Sequence, residues 1–530
     1  WTESVFSSDG SLHTGLAWAP DGSDRLFVME LSGRVRVLSG ALTGGAATWS
    51  TFATMSPIHV GGESGLIGMA FDPNFASNHY VYFFVTVSTS EQQIIRYDAS
   101  GPSGAGRSVI RDQLPTFGGD HNGGGIGFAG DGKLYWSIGD LASGIGVDAD
   151  LTSLAAKVGR ANRDGTLPTD NPFDDGAGPN NDFIWARGLR NPFTMQIQPA
   201  TGRLWLNVVG TGYEQVFQVG RGDHAGYNDF ENNQPAGFII PKIVYRTNGS
   251  DTRPITSVTR NSGKLTFTTS VDHQFRAGGN VTISGVTDSS FNQQNLYVAA
   301  NPGATTFTAQ QVGPDATSSG GNAVTLDQGG CLTGGVFYDA SLASDEYRGN
   351  FFYGDCNSRR IMRARINSSG NSVISTDYWA TGITSQVDIA LGPDGALYYV
   401  GVTTPNVYRA SYNATAQGLA VGNLNLRIDE GGEVVTTVRL ASAPTVDVPV
   451  SVARSAGDSD VNVLAGATLT FTPLDWSHPQ LVRLGAAVDL DSIDDIATVS
   501  VSSAGLATIP IRVSVLDLAR PEALFSNGFE

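Results

Sequence analysis

The sequence predicts an all-β chain: a six-bladed β-propeller with a small inserted β-module and a C-terminal β-sandwich. Three observations predict it. Of 530 residues, 66 are Gly and only 15% are charged, against about 25% charged in an average globular domain, a balance that suits many short strands joined by tight turns. One turn-and-strand unit recurs six times, and long-period repetition marks a ring or solenoid of supersecondary units. The remaining stretches alternate apolar and polar residues with period two, the spacing of half-buried strands.

The units come in order along the chain. Each joins a turn of the Pro-Asp-Gly kind to an apolar strand: WAPDGSDRLFVME from Trp18, FDPNFASNHYVYFFVT from Phe71, FAGDGKLYWSIGD from Phe128, IQPATGRLWLNVVG from Ile197, a looser YRGNFFYGDCNSRRIMRARI from Tyr347, and LGPDGALYYVGV from Leu391. Starts lie roughly 45 to 70 residues apart, except that the fourth interval is more than twice as long. Each interval holds four short strands. A lone four-stranded sheet cannot bury its apolar faces, whereas six packed radially can. The propeller is therefore assigned to residues 1–412, interrupted at 250–326.

Within the long interval, alternating Val, Thr, Ile and Phe separated by Gly and Asn turns predict the inserted β-module, with His273 as a turn residue and no chemistry. Residues 413–518 read as about seven strands at sandwich spacing. The patterns LRIDEGGEVVTTVRL and AAVDLDSIDDIATVSVS resemble a Calx-β-type domain, in which Asp489, Asp491, Asp494 and Asp495 offer oxygen ligands for Ca²⁺. Residues 519–530 form an aperiodic tail. Only Cys331 and Cys356 are present. Two cysteines make neither a disulfide scaffold nor a four-Cys metal site, but adjacent strands of one meander would bring this pair within bridging distance.

A formal charge of −18 excludes nucleic acid as a natural partner. No apolar run reaches the roughly 18 residues of a transmembrane helix. Trp1 opens into polar sequence, as expected of a processed soluble protein.

Chemistry-bearing residues cluster in the third and fourth units. In GGDHNGGGIGF, His121 follows Asp120 and precedes a Gly run through which a backbone can approach a flat ligand. Asp140 follows one strand later. In IWARGLRNPF, Arg187, Arg190 and Asn191 gather in a chain sparing with cations, and a planar guanidinium suits carboxylate or quinone oxygens. In VVGTGYE, Gly210 and Gly212 expose carbonyls able to hold a hard cation. His224 lies in the next loop.

In this order, with GGESGLIGMAFDPNF from Gly61, DGTLPTDNPF from Asp164, TGGVFYD from Thr333 and DIALGPDGALY from Asp388, the units resemble the soluble quinoprotein dehydrogenases of the glucose/sorbosone dehydrogenase family. That family includes aldose sugar dehydrogenases and the propeller of hedgehog-interacting protein. The resemblance runs from about Gly15 to Tyr412, outside the insert.

It implies pyrroloquinoline quinone and Ca²⁺ as cofactors and oxidation of an aldose or related sugar by hydride transfer to the quinone, with an external electron acceptor as partner. It makes His121 the general base, with Asp120 beside it at the substrate. Arg190 and Asn191 bond the quinone oxygens and Arg360 pairs a cofactor carboxylate. The carbonyls of Gly210 and Thr211 ligate Ca²⁺. A periplasmic or secreted location follows from the same resemblance. Four positions depart from the family pattern: Leu31, Gly125 and Leu141 stand where Arg, Arg and a polar residue are common, and Thr211 replaces Pro. The competing readings are a secreted propeller that has lost the cofactor and serves carbohydrate binding or adhesion, and a Ca²⁺-dependent hydrolase, which would need axial carboxylates.

Overall fold

The computed structural model describes residues 1–517 other than 118, 144–146, 232–233 and 490–492. The tail at 519–530 and Asp491 lie outside them. Among the described residues, 2–411 contain six four-stranded antiparallel sheets. The first is Gly15–Trp18, Arg25–Met29, Arg34–Ser39 and Thr48–Thr54; the second Leu66–Phe71, Tyr80–Thr86, Glu91–Asp98 and Ala105–Pro115. The third is Ile126–Phe128, Leu134–Ile138, Lys157–Ala161 and Ile184–Arg187; the fourth Asn191–Ile197, Leu204–Val209, Tyr213–Val219 and Ile243–Arg246. The fifth is Leu332–Phe337, Phe351–Asp355, Arg360–Ile366 and Val373–Thr381. The sixth joins Gln386–Leu391, Leu397–Gly401 and Thr404–Ser411 to the chain's first strand, Thr2–Ser8.

The leading strand of every sheet touches those of the sheets before and after it, and the sixth touches the first. The result is a closed, β-propeller-like ring. Its cores lie between sheets: Phe27, Phe52, Phe75 and Phe83 join the first two, and Trp205, Phe337, Phe351 and Tyr353 the fourth and fifth. The repeated turn has a steric basis. Its Gly recurs at φ 72° (Gly22), 69° (Gly132), 68° (Gly202) and 76° (Gly395), a region that residues with a Cβ rarely adopt.

An eight-stranded sheet occupies Thr252–Thr325 around Val258, Phe267, Phe291 and Phe307. His273 is buried there, its Nε2 3.1 Å from the Gly303 carbonyl and its Nδ1 accepting from Phe275 N–H at 2.9 Å, so it pins two loops together as well as marking a turn.

From Leu419 onward, a four-stranded and a five-stranded sheet share one core of Val, Leu, Ile and Phe471. This module docks on the repeated turns themselves. Asn74 and Arg163 donate to Asp429, the latter at 2.7 and 3.0 Å. Arg427 donates to the Gly130 carbonyl and lies against Gly202. Asp339 accepts from Asn425, Arg439 Nε donates to the Asp394 carbonyl at 2.8 Å, and Leu481 packs on Gly22. All six turns thus face the module.

Among the described residues, the acids that approach one another in this module are Glu430, Asp489 and Asp517, of which Asp489 belongs to the expected set. Asp494 instead accepts from the Asp517 N–H, and Asp495 opens a strand. Asp429 is 5% exposed, and removing a buried carboxylate strands its donors at a cost of about 1–3 kcal/mol. Asp429→Ala is therefore expected to lower the melting temperature. An unchanged melting curve would mean that this docking contributes nothing to stability.

Candidate active site

Antiparallel topology puts the starts of leading strands and the ends of second strands at one end of the ring, opposite the docked turns. Glu63, His121, Arg190 and Asn191 precede or open leading strands, Asp140 follows a second strand, and Gly210–Gly212 joins two strands of the fourth sheet. Three of the sequence-predicted residues, His121, Arg190 and Asn191, come together here.

His121 has φ 52°, and its Nδ1 lies 2.5 Å from Asp140 Oδ1. The carboxylate is itself held. Its residue's N–H donates to the Arg190 carbonyl at 2.6 Å, and Oδ1 accepts from Ala142 N–H at 3.1 Å. A proton kept on Nδ1 leaves Nε2 as the basic nitrogen. The ring is 17% exposed, and Asp120 stands exposed beside it.

Arg190 bonds the Val209 carbonyl through Nη1 at 3.1 Å, while its Nε is buried without a protein acceptor among the described residues. Asn191 differs from expectation. It is fully buried, with Oδ1 accepting from Gly123 N–H at 3.1 Å and Nδ2 donating to Glu63 at 3.0 and 3.1 Å. Both ends of the amide are engaged within the protein, so its contact with this site runs through Glu63.

Glu63 escaped the sequence analysis. Burial pushes its carboxyl above the usual carboxylate range, with the Asn191 amide and the nearby His121 pulling the other way. The signal that could have found it is positional: an acid in a Gly-rich loop just ahead of a leading strand, the same place in the repeat that His121 and Arg190 occupy.

Three successive N–H groups, Thr211, Gly212 and Tyr213, turn toward the Glu231 carboxylate. Peptide planarity then turns the Gly210 and Thr211 carbonyls away from it. The Thr211 carbonyl accepts the Thr247 hydroxyl at 3.2 Å. Glu214 is buried below, pushed up to about 8 by burial and then by Asp355, and accepts from Leu332 N–H.

Cys331 and Cys356 form a disulfide, Cα atoms 5.2 Å apart, beside Asp355. Arg360 does not join the group around His121. Its guanidinium donates to the Asp327 carbonyl and stacks on Tyr378 of the outermost strand. His224 pairs Asp148 at 3.1 Å and accepts from Gly226 N–H, which makes it structural.

The family model described as glucose/sorbosone dehydrogenase matches residues 12–277, half of the chain. The chain belongs to that family. Aldose sugar dehydrogenase YliI of Escherichia coli is 27% identical over 233 residues, 40% of this chain and 57% of that protein. Quinoprotein glucose dehydrogenase B of Acinetobacter calcoaceticus is 28% identical over 204 residues, 32% and 42% of the two chains. An uncharacterized Synechocystis protein is 28% identical over 255 residues, 43% and 60%. The matched segment thus spans about half the length of these curated relatives.

Among solved structures, a putative glucose dehydrogenase of Thermus thermophilus superposes with a TM-score of 0.54 at 20% identity, covering 77% of this chain and 99% of that one. The PQQ-bound aldose sugar dehydrogenase of Streptomyces coelicolor gives 0.51 at 19%, covering 77% and 98%. These likenesses show a shared fold.

Proposed function

We propose that this family member is a quinone-dependent dehydrogenase that oxidises a hydroxyl of an aldose or related sugar, built on a six-bladed propeller. The observation that carries the reading is the His121–Asp140 pair set beside Arg190, whose buried Nε has no acceptor among the described residues. A buried guanidinium donor left unpaired is costly, and an anionic ligand oxygen would satisfy it.

The residues fit the implied cofactors. Gly123 and Gly124, at φ 75° and 139°, let the backbone after His121 pack directly on Ser137 and on the carbonyls of Ile67 and Phe193, which fixes the loop that carries the histidine. Arg190 supplies charged donors, and Gly210 and Thr211 supply the hard carbonyl oxygens that Ca²⁺ prefers. Pyrroloquinoline quinone with Ca²⁺, when bound, supplies a two-electron acceptor for hydride and a Lewis acid.

The chain's own part follows from geometry. Nε2 of His121 takes the sugar hydroxyl proton, and Asp140 holds the ring and stabilises the imidazolium that forms. Arg190 places fixed positive charge where negative charge develops. Asn191 and Glu63 brace the loop that carries His121. The disulfide agrees with a periplasmic or secreted setting, where such bonds persist. Among the described residues no helix is long and apolar enough to cross a membrane.

The test is reconstitution. Pyrroloquinoline quinone and Ca²⁺ added to chelator-treated protein are expected to give a bound-quinone absorbance that aldoses bleach. Protein that binds no quinone but retains sugar would instead be a carbohydrate-binding module. Ca²⁺ alone is expected to raise the melting temperature of chelated protein, by about 2.7 kcal/mol of stabilisation at a hundredfold excess over Kd. Gly210→Pro, which alters the tight turn supplying the carbonyls, is expected to abolish that rise.

A further inference from the structure

We propose that the axis of the ring holds a monovalent cation, bound by Asp388 and by hydroxyls of neighbouring leading strands. A cavity of about 60 Å³ lies on the axis, lined by Thr14, Met69, Gly124, Thr194, Gln196 and Asp388 among others. These residues belong to several different sheets. The volume accommodates about four water-sized spheres, enough for an alkali ion with part of its hydration.

Asp388 projects into this space from the first strand of the sixth sheet. Oδ2 accepts from Leu16 N–H at 3.0 Å and Oδ1 from Ile389 N–H at 2.9 Å. Among the described residues no Lys, Arg or His pairs with it, and an ionised interior carboxylate is costly without a counter-charge.

The surroundings are shaped for it. A Cβ on Gly15 would run into the Met29 methyl and lie 3.2 Å from Oδ2, and one on Gly334 would run into the Asp388 backbone and lie 2.9 Å from Oδ1, so glycine at both positions lets the strands close around this residue. Across the cavity, Thr194 Oγ1 is buried with no hydrogen-bond partner among the described residues, and Thr14 Oγ1 donates to the Leu66 carbonyl at 3.2 Å, keeping its lone pairs available. One carboxylate and neutral oxygens balance one positive charge. A divalent ion would leave a net positive charge in the cavity, and a monovalent one leaves none.

The test compares melting temperatures in NaCl, KCl and N-methylglucamine chloride at equal ionic strength, with EGTA present to remove Ca²⁺. Na⁺ or K⁺ is expected to raise the melting temperature saturably by about 1–3 °C at ten- to hundredfold excess over Kd. Asp388→Asn, which keeps the shape and removes the charge, is expected to abolish the rise, and Thr194→Val to weaken it. Crystals of the unaltered protein soaked in Rb⁺ are expected to show an anomalous peak beside Asp388. Equal melting in all three salts with no Rb⁺ peak would overturn the proposal, as would a rise that survives in Asp388→Asn. The unaltered protein alone decides the matter if a variant fails to fold.

Discussion

His121→Ala is expected to lower kcat by about 10²- to 10⁴-fold, the usual worth of a positioned general base, while leaving quinone binding in place. The ring is held by Asp140 at 2.5 Å and not by the loop at Gly210, so its loss removes proton transfer without dismantling the rest of the site. Asp140→Asn separates positioning from chemistry. It keeps the shape and frees the ring to take the wrong tautomer, so kcat should fall while KM holds. Steady-state kinetics on protein reconstituted with quinone and Ca²⁺ measure both. An alanine variant at His121 that turns over normally would remove the base assignment.

Arg190→Ala is expected to cost about 10²- to 10³-fold in turnover, the range for removing one fixed donor to a developing negative charge, and to weaken quinone binding as well. Arg190→Lys should recover little of either. An ammonium is a point charge on a flexible stem and cannot reproduce a planar donor fork anchored at the Val209 carbonyl. Binding measured by absorbance titration and turnover measured by kinetics should both change. A variant that loses turnover at unchanged quinone affinity would place Arg190 elsewhere than at the cofactor.

The repeat made the ring legible in the sequence because each unit announces itself by a turn that needs Gly and a strand that needs apolar residues in alternation. His121, Arg190 and Asn191 were legible because glycines or a local excess of cations set them apart. What pairs with them was not. Glu63 meets Asn191 across 128 positions of chain, and no local pattern encodes that contact. Arg360 illustrates the opposite failure: its motif pointed to a cofactor carboxylate, but Tyr378 on the neighbouring strand and the Asp327 carbonyl engage the guanidinium first. The acid run near Asp489 shows the same limit: among the described residues Asp489 meets Glu430 and Asp517, which come from two other segments of the chain.

The pairing of Thr2–Ser8 with Thr404–Ser411 determines when the molecule can finish folding. Thr2 lies opposite Ser411 and Ser8 opposite Asn406, while Trp1 is ringed edge-on by Tyr338, Tyr347, Trp379 and Tyr412. Bringing together ends about 400 residues apart costs about 5 kcal/mol in loop-closure entropy before any contact offsets it. A ribosome therefore delivers the first strand long before its partner exists, and that segment must wait as an unpaired edge, the kind of surface that recruits other chains. Once the seam closes, the ring has no free end from which to fray, and escape from the native state requires parting strands from opposite ends of the sequence. Persistence is then governed by the rate of that parting more than by the equilibrium free energy.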